Sequence, residues 1–124
     1  MPDYKFDTTC IGNAIVDVIS RIDDDFLEAE GLVKNSMNLI DEARAENLYA
    51  KMGSAVEISG GSSGNTAAGI ASLGGRSNYV GKVCSDQLGA IFAHDIQAMG
   101  VTFETAKSED GAATARSFIL VTPD

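Results

Sequence analysis

The stretch VEISGGSSGNTAAGIASLGGRSNYVGKVCSDQLG, Val56 to Gly89, decides how this chain folds and what it can hold. Its eight glycines fall at the joints between apolar segments. AVEISG reads as a short strand, Asn65–Leu73 as a small-residue, Ala-rich helix ended by Gly74-Gly75, and SNYVGKVC as a second strand. Two familiar phosphate cradles fail on spacing. Gly60-Gly61-x-x-Gly64 is not G-x-G-x-x-G. Gly75 to Lys82 has five residues between its glycines where a P-loop needs four, and Val83 stands where the motif needs a hydroxyl for Mg²⁺. What remains is a strand, a paired-glycine joint and a helix. Paired glycines let a ligand approach the backbone, a helix start offers unpaired N–H groups, and the Asn65 amide can both donate and accept. The competing reading is a tight turn capped by Ser or Asn.

Upstream, FDTTCIGNAIVDVISRI (Phe6–Ile22) reads as a buried strand broken at Gly12-Asn13 and resumed as a second extended piece. Asn13 and Asp17 are the polar side chains of the otherwise apolar run Cys10–Ile19. A carboxylate buried there is costly without a partner. Together with an amide it suits adjacent sugar hydroxyls, although a structural contact to backbone beside a bulge would also account for it. Asp23–Asp25 are candidate caps of a short helix that Gly31 ends, and Val33–Ile40 reads as another strand. Asp41 caps a helix with Ala45, Leu48 and Met52 on one face, closed by Gly53. Asp86 caps a helix carrying Leu88, Ile91, Phe92, Ile96 and Met99 as an apolar stripe, with His94 off the stripe. Val101–Thr105 and Thr114–Thr122 read as strands. Alternating strands and helices argue for an α/β fold with a parallel sheet.

The net charge of −9 argues against a nucleic-acid surface. No apolar run approaches the ~18 residues of a membrane span, and a cytoplasmic protein is the simplest expectation. Cys10 and Cys84 are expected as buried free thiols, and a single histidine with no C-x-x-C argues against a metal site. The closing SFILVTPD is a strand followed by a turn opening, so we expect the front part of a longer enzyme.

The ordered series Gly60-Gly61, Asn65 opening an Ala-rich helix, Leu73-Gly74, a strand with Gly81, and D-x-x-G at Asp86–Gly89 resembles the first signature region of the ribokinase-type (PfkB) family of sugar and nucleoside kinases. Cys84-Ser85 departs from the Gly or short polar residue of many relatives. The first-strand spacing G-N-x-x-x-D is similar to the adenosine-kinase-like branch, whereas ribokinase-like members show G-x-x-N-x-D. The resemblance implies a Rossmann-like three-layer α/β/α sheet with a small β-sheet lid, of which residues 1–124 would be the N-terminal portion. The lid would be built from segments near 16–40 and 114–122. Asn13 and Asp17 would hold ribose hydroxyls, Gly60, Gly61 and Asn65 would complete the sugar site, and Met37, Leu39 and Phe118 would be apolar lid walls.

The activity implied is transfer of the ATP γ-phosphoryl group, with Mg²⁺, to a primary hydroxyl of a sugar or nucleoside, adenosine favoured. A fructokinase-like enzyme and a non-catalytic sugar- or nucleoside-binding member are the alternatives. The family's catalytic base is the Asp of a later G-A-G-D motif. No match to it occurs in these residues, so no catalytic residue is assigned and the ATP-binding portion is expected elsewhere. The oligomeric expectation is a monomer or a lid-mediated homodimer.

Overall fold

A computed structural model describes residues 2–124. The elements run β1 (Thr8–Ile11), β2 (Ile15–Arg21), α1 (Asp24–Ala29), α2 (Glu42–Lys51), β3 (Ala55–Gly60), α3 (Ser62–Ser72), β4 (Ser77–Val80), α4 (Gln87–Ala98), β5 (Thr102–Phe103) and β6 (Ala115–Val121). They form two three-stranded sheets, ordered β1-β4-β5 and β3-β2-β6. The chain divides into two compact units. One comprises the chain up to Asp17 with Glu57–Ser117; the other comprises Val18–Val56 with Phe118–Asp124.

The first unit holds the parallel sheet. β4 pairs with β1 through Cys10↔Tyr79 and with β5 through Tyr79↔Phe103. Parallel strands need a crossover between them, usually a helix. α3 lies between β3 and β4 in the chain and packs on β1 and β4, while α4 leads into β5 and packs on it. The core is a triangle of rings. Tyr79, Phe92 and Phe103 lie with centroids 5.5–5.7 Å apart, Phe92 and Phe103 edge to face. All three are buried, as are Val83 and Ile96 of the same unit, and such ring pairs add to the stabilisation from burial itself. α3 is small-residue for a reason visible here: Gly64 and Ala67 are buried, and the Ala67 carbonyl accepts the Ser77 hydroxyl of β4 at 2.8 Å.

In the second unit, Asp41 caps α2 by accepting the Arg44 N–H at 2.7 Å. The expected face of Ala45, Leu48 and Met52 is the buried one. α1 buries no residue of its own. It is capped by Asp23, which accepts the Phe26 N–H at 2.9 Å. The segment after it is tied to α2 by Glu30, whose side chain is 8% exposed and meets Arg44 at 2.7 Å and Lys51 at 2.9 Å. Hydrogen bonds from Lys51 and Arg44 hold the Glu30 carboxyl below its ordinary range.

Four expectations change. Val33–Ile40 forms no strand. Asn35 sits at φ 60°, the Ser36 hydroxyl donates to the Val33 carbonyl, and the Asn38 amide donates to Ser36 at 3.2 Å. These local bonds compete with a ladder, and β3 is instead the third strand beside β2 and β6. α3 begins at Ser62, three residues before Asn65, because Gly61 already makes the turn. The strand from Ser77 stops at Val80. Beyond Gly81 the backbone bonds Ser108, with the Ser108 N–H on the Val83 carbonyl at 2.8 Å and the Ser85 N–H on the Ser108 carbonyl at 2.7 Å. β5 is shortened to Thr102–Phe103. No helix among the described residues is long and apolar enough to cross a membrane.

Candidate functional site: a glycine joint beneath a carboxylate

The expected break at Gly12-Asn13 separates β1 from β2, and two side chains pin the end of β1. The Tyr79 hydroxyl donates to the Gly12 carbonyl at 3.0 Å. The Ser63 hydroxyl donates to the Ile11 carbonyl at 3.0 Å, and it occupies the space a side chain on Gly12 would need. The core ring of β4 and the first turn of α3 therefore fix where Asn13 starts. On the neighbouring segment, the Ser59 N–H donates to Asp95 of α4 at 3.0 Å, which anchors the residue just before Gly60.

Asp17 meets Gly60 face to face. A methyl on Gly60 would fall 2.6 Å from the Asp17 carboxyl carbon and 2.7 Å from Oδ1, so only glycine fits. Gly61 has φ 85°, a left-handed conformation that L side chains avoid, and an added Cβ there would lie 3.0 Å from the Asn13 carbonyl. The Asn65 N–H then closes the first turn of α3 on the Gly61 carbonyl at 2.9 Å. Asn13, Asp17, Gly60 and Gly61 are thus brought together, with Asn65 one helical turn on. Asn65 and Asn13 are exposed.

α3 differs from the other helices at its start. Asp23, Asp41 and Asp86 each cap a helix with a side-chain oxygen, whereas Gly61 supplies no side-chain cap to α3. The first-turn N–H groups of α3 are left for other acceptors. Asp17 is half-buried, and its carboxylate has no hydrogen-bond or ion-pair partner among the described residues. Burial raises its carboxyl above the ordinary aspartate value. An acceptor-only group with free lone pairs beside donor N–H groups suits a ligand that both donates and accepts, which is the behaviour of a hydroxyl.

The apolar wall candidates belong to the second unit. Met37 and Leu39 are 87% and 95% exposed. Phe118 pairs its ring with Tyr49, centroids 6.2 Å apart. Sequence reasoning missed a cleft that begins at Asn13. A cleft of about 430 Å³ runs from Asn13–Ile15 to Lys82–Cys84, Ser108 and Ala112–Ala115. Cys84, expected to be buried, is only half-buried and lines this cleft, while Cys10 is buried as expected; both thiols are free.

Among the described residues no three His, Cys, Asp or Glu side chains cluster as a metal site would require.

Comparison with known proteins bears on the fold and the family. The chain is similar to the adenosine kinase of Sinorhizobium meliloti, with TM-score 0.84 and 61% identity over 98% of this chain and 37% of that one. It is similar to the Schistosoma mansoni adenosine kinase solved with adenosine and AMP, with TM-score 0.76 and 25% identity over 91% of this chain and 35% of that one. The α/β fold with its parallel sheet is therefore that of the ribokinase-like kinases. In sequence, the chain is 38% identical over 63 residues to a probable chloroplastic fructokinase-6 of Arabidopsis thaliana, covering 51% of this chain and 16% of the relative. The chain thus spans little more than a third of the solved relatives, and less of the curated ones. Residues 24–124 match the pfkB family of carbohydrate kinases, and the chain belongs to that family.

Proposed function

We propose that the protein carrying this sequence transfers the γ-phosphoryl group of ATP to the primary hydroxyl of a nucleoside, adenosine favoured, and that these residues hold the phosphate acceptor. The observation that carries this reading is the Asp17 carboxylate, without a partner among the described residues, set against Gly60 at the uncapped start of α3. Asp17 accepts hydrogen bonds from two neighbouring ribose hydroxyls. The Asn13 and Asn65 amides complete the donor and acceptor pattern, and Gly60 and Gly61 let the sugar lie on the backbone. Held this way, the acceptor presents its primary hydroxyl in one orientation, which lowers the entropic part of the barrier.

The proton of that hydroxyl, the moving phosphoryl charge and Mg²⁺ are handled by residues outside this set, by resemblance those of a G-A-G-D segment and the ATP-binding portion. Adenosine is favoured by the G-N-x-x-x-D spacing at Gly12–Asp17 and by the 61% identity to the S. meliloti adenosine kinase. A fructokinase-like enzyme is the second reading, supported by the 38% identity to the plant fructokinase. The test is ATP consumption by the intact natural protein with adenosine, ribose and fructose. Turnover with adenosine at the highest kcat/KM supports the first reading, a preference for fructose supports the second, and no turnover with any of the three overturns both.

A further inference from the structure

The cleft beside Asn13 has a wall that the acceptor-holding residues do not explain. Residues 112–115 line it, yet they precede β6 and belong to no element until Ala115. Such a segment needs something to fix it. Asp86 does so with both oxygens. Oδ1 accepts the Gly89 N–H at 2.7 Å, which caps α4, and the Thr114 hydroxyl at 2.7 Å. Oδ2 accepts the Thr114 N–H at 2.9 Å. The Thr114 hydroxyl oxygen in turn accepts the Cys84 N–H at 2.9 Å.

One threonine therefore joins the helix start, the Lys82–Cys84 wall and the 112–115 wall, and it is only 4% exposed. Gly89 belongs to the same arrangement, since a Cβ there would collide with the Cys84 carbonyl and come within 3.1 Å of Asp86 and of the Thr114 hydroxyl. Capping α4 alone needs one oxygen on one N–H. The second oxygen and the hydroxyl relay are spent on the cleft.

We propose that Asp86 and Thr114 are positioning residues that set the width of the cleft beside Asn13 and so the fit of the phosphate acceptor. This rests on the reading of Asn13 and Asp17 as acceptor-holding residues. Asp86 and Thr114 act through the two walls that their hydrogen bonds join.

The experiment uses the intact natural protein with adenosine and with fructose as acceptors, and reads KM and kcat for each, KM for ATP, and melting temperature. Thr114→Val keeps the volume and removes the hydroxyl; Thr114→Ser keeps the hydroxyl. We expect Thr114→Val to raise the acceptor KM at least fivefold, with kcat and the KM for ATP within twofold. Thr114→Ser is expected to return the acceptor KM to within twofold of the natural protein. Should Thr114→Val fail to fold, Asp86→Asn, which retains one oxygen for the Gly89 cap and loses the acceptor for the Thr114 N–H, carries the same expectation.

A lower melting temperature with an unchanged acceptor KM, or a serine variant that does not restore KM, overturns the proposal. Asp17→Asn measured alongside separates the two ideas. If it alone raises the acceptor KM, the acceptor reading stands and the positioning role is wrong. If neither substitution moves KM, or neither acceptor turns over, both are wrong.

Discussion

Asp17 and Asp86 are both partly buried carboxylates in the same unit, each beside the start of a helix, and their surroundings differ in one respect. Asp86 accepts the Gly89 N–H, the Thr114 N–H and the Thr114 hydroxyl. Asp17 accepts nothing from the described residues, although Gly60 is stripped of any side chain to make room for it. Their acidities separate accordingly. Burial works against charge on Asp86, but the bonds from Thr114 and Gly89 outweigh it and its carboxyl falls below the ordinary value. At Asp17 burial acts alone and the carboxyl rises. A saturated carboxylate holds structure together. An unsaturated one is a cost to the fold that a ligand can recover.

The largest expected effect tests the unsaturated side of this pair. In the intact protein, Asp17→Asn should raise the acceptor KM about tenfold or more, on the order of 1.4 kcal/mol of lost binding per tenfold, as read by steady-state kinetics with adenosine. An unchanged KM would remove Asp17 from the acceptor site. The second prediction tests the saturated side. Asp86→Ala removes a helix cap and leaves the Thr114 N–H unpaired, and should lower stability by about 2 kcal/mol in denaturant unfolding. A loss below about 0.5 kcal/mol would contradict the view that its bonds hold the turn.

The third prediction sets the two in opposition through pH. Because the folded pKa of Asp17 is raised, its contribution favours the fold most at low pH and is lost as pH rises from the unfolded value through the folded one. Asp17→Asn should therefore raise the melting temperature at neutral pH while it weakens the acceptor. The natural protein should lose acceptor affinity as pH falls through the raised Asp17 value. That loss should vanish in Asp17→Asn, and a variant that keeps it would point to another titrating group. Asp86 has the opposite sign. Its stabilisation is present above the ordinary carboxylate value and fades as pH falls through the lowered one, so the Asp86→Ala penalty should shrink in acid. The smallest effect is the control. Leu39→Ser, at a side chain 95% exposed, should change stability by no more than about 0.5 kcal/mol. A larger loss would mean that Leu39 packs against something.

Much of the fold is legible in local chemistry. Aspartates 23, 41 and 86 mark three helix starts, the spacing of Ala45, Leu48 and Met52 marks the buried face of α2, and Gly12-Asn13 marks the break before β2. Each is a short-range effect, complete within about one helical turn or one strand, so the chain shows it unaided. Of the candidate site, Asn13, Asp17, Gly60, Gly61 and Asn65 are visible as polar or glycine residues out of keeping with their neighbours. The cleft wall is not. Thr114 lies 28 residues from Asp86 and 30 from Cys84, and nothing in the local pattern of any of them signals the others. Val33–Ile40 misleads for the converse reason: its apolar residues resemble a strand, while Asn35, Ser36 and Asn38 satisfy the backbone locally.

From the sequence by itself came the α/β class, the helix boundaries set by caps, the exclusion of both phosphate cradles, and the family resemblance carried by the Gly60–Gly89 series. The tertiary structure alone decided that the Asp17 carboxylate, over Gly60, meets no partner among the described residues and that Asp86 does. The difference is physical. Capping and periodicity are fixed by neighbours in the chain, whereas the state of a buried carboxylate depends on which distant donors the fold carries to it.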